Sequence, residues 1–542
     1  MYRQAKAIYK SRHTNFTLVY PTTIRLYLCT MKKGKNNFQL SLTSVLLLVA
    51  SAYIVGLFVD IQGDAAKYAA IARYMVEGSD WLAIKERFGE PYLQKPPFLF
   101  WLVATSFSCF GFSNLSFKLF PFLFCLLAGY FTFRFAKEFY TKTIAYFSAI
   151  VFFTLESTFF YSNDVRTDTI LMPLVIFAVW QSLLFCKKKQ TIYAISTAIA
   201  IGLAMLTKGP LGFALPFIAL ATDILLRRNW KCILAWQWIL VFFIPLAMLT
   251  PYLNGLYGQF GYEGIHFFFW KNNAGRITGS YLKNYSDPFF YLHTILWLFF
   301  PWSFFLFIGF VRQCYLLYKQ KFLIDLSSYQ EARFTYLKEG ASIGIIGIFI
   351  LIISIASFKS PNYLYVLTPF ASLIVGITIS DIYQRKRFFG WNISRVLFVR
   401  IMIIATASIA LVNIVLSIWV YPYVFKYHKY RQASNIISKE TLMNKSLYVY
   451  KDKQALVSPT LKFYLDKPAI PIENIDTLSQ LDAYWLLIKT EDFQQIDDLN
   501  VKASIKKMHE LTYFKTKNSL PLQLFLVKKE SKKLEKYLLI EF

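Results

Sequence analysis

The feature that most narrows the fold of this chain is a series of apolar runs, each near twenty residues long and almost free of charge. A helix needs roughly 20 such residues to cross about 30 Å of hydrocarbon. Runs of this kind fall near 39–59, 117–136, 143–162, 169–186, 190–206, 210–226, 233–250, 289–311, 341–358, 362–380 and 397–420. They predict an α-helical polytopic membrane protein of about eleven crossings. Composition agrees, because only 17% of residues are charged where a soluble domain carries about 25%. The formal charge of +28 does not indicate nucleic acid, since the cations punctuate apolar runs instead of paving one soluble face. Membrane lipids are the expected surroundings.

Loop charge sets the sidedness. Lys32, Lys33 and Lys35, then Arg134, Lys137 and Lys142, Lys187 to Lys189, Arg227, Arg228 and Lys231, the 312–339 loop and Arg385 to Arg387 all mark cytoplasmic ends under the positive-inside rule. This parity holds only if 97–112, FLFWLVATSFSCFGFS, does not cross. That run is about 16 residues long and follows two prolines, so it is expected as an interfacial or re-entrant helix on the outer face, with amphipathic 65–78 beside it.

Three regions follow: a basic cytoplasmic N-terminus at 1–38 with an alternative start at Met31, a membrane domain at 39–425, and a C-terminal domain at 426–542. In the last, β-rich runs (Ser446 to Tyr450, Tyr484 to Ile488, Leu522 to Val527) alternate with polar helical stretches such as 489–498, which reads as a small α/β domain outside the membrane. Cys29, Cys109, Cys125, Cys186, Cys232 and Cys314 lie in or beside apolar segments without CxxC spacing, so neither a disulfide framework nor a zinc site is expected.

The external face collects the polar residues that apolar surroundings make costly. Its first loop carries Asp60, Asp64 and Lys95. Asp64 stands just before a helical run, where an aspartate serves either as an N-cap or as a general base for an acceptor hydroxyl. Lys95 precedes two prolines and is either presented rigidly by them or snorkels to the interface. The turns NDVRTD, LTKGPLG and FKSPNY place Arg166, Lys208 and Lys359 at outer helix ends, and Arg276 joins them from the 251–289 loop. Such a ring opposes the positive-inside rule and suits a lipid phosphate that departs as a leaving group. His266, among aromatics, reads as a metal ligand, an acid or a packed histidine; a lone histidine supports a metal poorly.

Across about residues 40–385 the motifs GDAAKYAAIAR, GEPYLQKPPFLFWL, RTD, LTKGP, HFFFW followed by NNAGRITG, PFFYLHTILWLFFPW and KSPNYLYVLTPFA occur in an order that resembles the GT-C class of integral-membrane glycosyltransferases. The resemblance extends to the dolichyl-phosphate-mannose protein mannosyltransferases and especially to the lipid A 4-amino-4-deoxy-L-arabinose transferase. It implies the GT-C fold, a bacterial inner-membrane location and an undecaprenyl-phosphate sugar donor. It also implies that Asp64 is the catalytic aspartate, that Lys95 and Arg276 approach the polyprenyl phosphate, and that Lys208 and Tyr363 line the donor cavity. Arg166 and Lys359 join the donor-binding candidates, while Asp60, Asp168, Gln94 and His266 are candidates for the acceptor or for supporting the site.

Two positions depart from the family pattern: Ala65 and Gln94 stand where acids are common. A metal held by Gln94 and His266 is therefore not expected, and no cofactor is required. The acceptor implied is lipid A, as in polymyxin resistance, or another envelope glycan; a protein hydroxyl, as in protein O-mannosylation, would use the same donor and base. A lipid or sugar flippase, the rival of another class, should show paired Gly/Pro-interrupted helices in two related halves, and the sequence carries no such repeat.

Overall fold

The computed structural model describes residues 43–61, 63–78, 80–281, 284, 287–322, 340–388, 391–392, 394–425, 429–439, 446–452, 458–473, 484–494, 507–514 and 534–541. The segment 1–38 with Met31 and the expected strand at 522–527 lie outside the described residues.

All eleven apolar runs contain helix. The order is α1 (Thr43–Leu57), α2 (Gly63–Gly78), α3 (Phe98–Phe110), α4 (Asn114–Phe139), α5 (Lys142–Thr154), α6 (Glu156–Asn163), α7 (Thr167–Lys188), α8 (Thr191–Lys208), α9 (Leu211–Arg227) and α10 (Trp238–His266). Then come α11 (Ala274–Thr278), α12 (Phe290–Leu298), α13 (Ser303–Phe322), α14 (Gly340–Ile355), a 3-10 turn (Pro361–Leu367) leading into α15 (Thr368–Arg385), and α16 (Arg395–Val415). The chain is a polytopic membrane protein. Among the described residues six helices are long and apolar enough to cross by themselves, or eight if each bent pair forms one span.

Neither bend was expected, since each run reads as one crossing. Leu155 leaves helical geometry between α5 and α6, turning the chain by 50°. Between α12 and α13 the turn is 118°, at Pro301, which cannot donate to a helical ladder. The run at 289–311 is thus a sharply bent pair and not one straight crossing. The run at 97–112 forms the 13-residue α3, which falls with α1 and α14 among the shorter apolar helices.

With lipid tails as apolar as the side chains, close packing decides which helices pair. At Gly376 of α15 an added Cβ would lie 2.2 Å from the Ser148 hydroxyl of α5, and at Gly344 of α14 it would lie 2.2 Å from the Thr222 hydroxyl of α9. α7 and α15 are buried along most of their length and form the centre of the bundle.

The C-terminal region has its own apolar cluster. It contains α17 (Lys429–Lys439), β1 (Ser446–Tyr450), α18 (Pro459–Tyr464), β2 (Ile470–Ile472), β3 (Tyr484–Lys489), β4 (Lys507–Phe514) and β5 (Leu534–Glu541). The sheet order is β2-β1-β3-β5-β4, with β1 parallel to β2 and β3, and β5 antiparallel to β3 and β4. Leu447, Val449, Trp485 and Leu487 pack with Ala433, Ile437 and Leu461. α18 lies on α2, whose Ala65, Ala66, Ala69, Ala70 and Ala72 are buried.

One expectation is corrected. Cys186, near the end of α7, and Cys232 form a disulfide with Cα atoms 5.3 Å apart. The pair is separated by 46 residues, and no short-range spacing motif announces it.

Candidate active site

Four loops meet where polar residues interrupt the apolar bundle. The first begins at Gly63, whose φ of 55° lies in the left-handed region that a side chain resists. This turn starts α2 with Asp64 in its first turn, where the helix dipole favours a carboxylate. α1 ends just upstream, and Lys118 of α4 gathers one carbonyl from its last turn and one from just beyond it: the ammonium donates to Gly56 O at 3.0 Å and Val59 O at 2.7 Å. Lys118 is fully buried.

Arg166, the residue before α7, joins two acids. Its guanidinium donates to Asp64, and its Nε donates to Asp164 at 3.0 Å. Burial raises the Asp164 carboxyl above its usual range despite the guanidinium beside it. Burial acts against the charge on Arg166, but Asp164 and Asp64 outweigh it and raise its pKa. Tyr68, one turn after Asp64, is buried beside these charges, and its phenol is pushed up by burial and then by Asp64.

Asp168, in the first turn of α7, pairs with Lys208, the last residue of α8, and both are nearly buried. Each charge lies at the helix end whose dipole favours it. Gly209 follows at φ 65°, and Pro210 then opens the next helix, so LTKGPLG is a C-cap followed by a new start. The Lys208 ammonium lies 4.9 Å from the centre of the Tyr363 ring. Arg276 of α11 donates to Tyr363 Oη at 3.1 Å and to Asn272 Oδ1 at 3.0 Å. Asn272 in turn donates to the Gln94 carbonyl at 3.0 Å.

Gln94, Lys95, Lys208, Asn272 and Asn273 line one narrow cleft. Lys95 is half-buried, and its amine is pushed down to about 7 by burial and by the charges of Lys208 and Arg276. The cleft therefore presents Lys95 and Lys208, with Arg276 and the Tyr363 phenol beside it, close to a carboxylate that an arginine orients.

The other sequence candidates lie apart from it. Lys359 donates to the Asp287 carbonyl at 3.1 Å, and its backbone is held by Asn284, which pins the Arg276 loop beside the 357–359 turn. His266 stacks on Tyr262. Among the described residues no three His, Cys, Asp or Glu side chains converge as a metal set would, and the residues present do not fit a metal. Asp60 is bound by Arg431 of α17, at 3.1 and 2.7 Å, and by Asn114 at 2.8 Å. Sequence reading missed Lys118, Asp164, Asn272 and Arg431. Lys118 alone carried a signal, as a lysine inside an apolar run.

Comparison with known proteins comes from three directions. The dolichyl-phosphate-mannose-protein mannosyltransferase family matches residues 94–253, which include Lys95, Arg166 and Lys208. An undecaprenyl phosphate-alpha-4-amino-4-deoxy-L-arabinose arabinosyl transferase of Proteus mirabilis is 24% identical over 250 residues, 44% of either chain. One from Wigglesworthia glossinidia brevipalpis is 26% identical over 286 residues, 51% of this chain and 50% of that one. The chain thus spans about half the length of the curated relatives it matches. ArnT from Cupriavidus metallidurans, solved with undecaprenyl phosphate bound, superposes with a TM-score of 0.64 at 17% identity, covering 92% of this chain and 98% of that one. The chain has the GT-C fold of ArnT, and in sequence it resembles the arabinosyl transferases and the protein mannosyltransferase family.

Proposed function

We propose that this protein is a glycosyltransferase that moves a sugar from an undecaprenyl-phosphate donor to an acceptor hydroxyl or phosphate at the outer face of the bacterial inner membrane, with lipid A as the acceptor. The observation that carries the reading is the cleft in which Lys95 shares space with Lys208 near Arg276. Three cations held together and partly out of water repel one another, and a phosphate relieves that repulsion through charge-assisted hydrogen bonds. The donor class follows the undecaprenyl-phosphate arabinosyl transferases that the chain resembles.

Asp64 is the general base. Arg166 aims its carboxylate, and the carboxylate takes the proton of the acceptor hydroxyl. The oxygen attacks the anomeric carbon, the bond from that carbon to the lipid phosphate breaks, and the charge left on the phosphate is met by Lys95, Lys208 and Arg276. Single displacement inverts the anomeric centre. Tyr363 holds the Arg276 guanidinium and packs under Lys208. Asp168 balances Lys208 between turnovers, and Lys359 fixes the Arg276 loop from behind. The donor's tail stays in the bilayer. In this topology the N-terminus is cytoplasmic and the C-terminal α/β region lies outside.

The test is mass spectrometry of lipid A and of exported proteins from cells with and without the gene. A pentose- or hexose-sized loss from lipid A in the deletion supports the assignment. A loss confined to proteins replaces lipid A with a protein acceptor, and unchanged lipid A, glycans and proteins overturn the transfer reading.

A further inference from the structure

A second polar cavity lies between the two parts of the molecule. Its volume is about 250 Å³, and Lys67, Ala70 and Ile71 of α2, Glu86 and Arg87 of the first loop, and Lys462 of α18 line it. Glu86 is shared: Lys67 meets one carboxylate oxygen at 2.9 Å and Lys462 meets the other at 2.8 Å. Burial raises the Glu86 carboxyl, but the bonds from Lys462 and Lys67 outweigh it and leave its pKa below the usual value.

The donor inventory separates what holds the cavity together from what is left for a ligand. Arg87 is committed, with nitrogens on Glu77 and on the carbonyls of Lys462, Phe463 and Leu465. It contributes charge and closure. An ammonium carries three N–H donors. Lys462 gives one to Glu86, and Lys67 gives one to Glu86 while lying 4.9 Å from the Tyr92 ring centre. Both lysines therefore keep donating capacity. The lining holds three cations against one carboxylate. Counting Arg73, Glu77 and Asp466, which are joined to Arg87 or to one another, the surroundings still carry one excess positive charge.

A bare anion would meet the remaining lysine donors but bring no hydrogen-bond donor for the free lone pairs of Glu86, and a neutral sugar would leave the excess positive charge uncompensated. A phosphorylated sugar uses both, with phosphate oxygens toward Lys67 and Lys462 and a hydroxyl donating to Glu86. The cavity is slightly below the roughly 300–1,000 Å³ of ordinary small-molecule sites, a size for one sugar headgroup and not for acyl chains. Lys67 follows Asp64 by three residues on α2, a spacing that sets Cβ atoms about 5–6 Å apart.

We propose that this cavity is a sugar-phosphate subsite that seats the acceptor's headgroup beside Asp64, with Lys462 supplied by the C-terminal region. The acceptor role rests on the glycosyl-transfer reading above; the sugar-phosphate site does not. The C-terminal region thereby becomes part of acceptor recognition and not only a cover over α2.

The test uses the full-length chain in detergent, saturated with undecaprenyl phosphate so that the donor cleft is filled, and measures binding of glucose 1-phosphate, glucose and inorganic phosphate. Glucose 1-phosphate should bind, and its affinity should fall about tenfold in Lys67→Gln and in Lys462→Gln, the loss expected for one hydrogen bond to a charged group. Lys462→Arg should retain binding, and undecaprenyl phosphate affinity should not change in any variant. Equal affinity for inorganic phosphate, unchanged binding in both glutamine variants, or a parallel fall in undecaprenyl phosphate affinity would each overturn the subsite. Failure of the wild-type chain to bind undecaprenyl phosphate would instead sink the donor reading, and the glucose 1-phosphate comparison would then judge the subsite alone.

Discussion

Arg166 reaches Asp64 across 102 residues of chain and with its other edge holds Asp164, so that one guanidinium fixes two carboxylates from different loops. A lysine, with its single point charge, could not brace both.

Asp64→Asn keeps the size of the side chain and a good helix start while removing the proton acceptor. General bases are worth typically about 10²–10⁴ in rate, and a loss of that size is expected in turnover of a polyprenyl-phosphate sugar by monodisperse protein. Arg166→Lys should lower the same rate by at least about tenfold while leaving undecaprenyl phosphate affinity intact. Near-native turnover in Asp64→Asn would return this residue to a structural role beside Arg166.

Lys95 sets a pH dependence whose sign can be worked out. Its amine is held near 7 in the folded protein against an ordinary value of 10.5, so between those limits the unfolded chain binds a proton that the folded chain lacks. Stability of the ligand-free protein should therefore rise with pH across that window. A bound phosphate restores the ammonium by proton uptake, so undecaprenyl phosphate affinity should weaken as pH rises from about 7 to 9. Lys95→Met should flatten both profiles; a variant that tracks the wild type would remove Lys95 from the phosphate site.

Asp60 and Arg431 tie the membrane bundle to the C-terminal region. Arg431 also lies 3.7 Å from the Tyr464 ring centre, and Tyr464 donates to Asn114 at 2.7 Å. Both charged side chains keep some solvent contact, so solvent screening discounts the pair, and a coupling of about 1 kcal/mol is expected between Asp60→Ala and Arg431→Ala. Limited proteolysis should release residues beyond 425 faster in either variant, with the double variant no faster than the worse single one. Additive effects would show that the two residues act separately.

Transfer should tolerate chelators. Gln94 supplies no anionic oxygen, His266 stacks on Tyr262, and a catalytic metal generally needs three protein ligands. Inactivation by EDTA, reversed by one divalent metal, would refute this.

How much could be read beforehand depended on contrast. Helices stood out because each apolar run is bounded by charge at its ends, whereas the breaks at Leu155 and Pro301 hid inside runs whose average hydropathy stays high across a single Glu156 or Pro301. Asp64, Lys95, Arg166 and Lys208 were visible because a charge at the end of an apolar helix is conspicuous. Their pairings were not, since Asp168 with Lys208 and Asp64 with Arg166 depend on how helices pack. Arg87 and Arg431 escaped notice because they stand among other polar residues, where one more arginine carries no signal.

The Cys186–Cys232 bond lies among Lys187 to Lys189, Arg227, Arg228 and Lys231, the end of the bundle that loop charge assigns to the cytoplasm. Glutathione keeps most cytosolic cysteine pairs reduced. The two sulfurs therefore act as a chemical compass for the molecule. On this sidedness the bond seen in the structure is one that growing cells keep open: trapped there with maleimide the sulfurs should be thiols, closing into the disulfide only when the membrane is opened to air. A pair already oxidised in intact cells would turn the whole bundle over, moving Asp64 and its cations to the opposite leaflet.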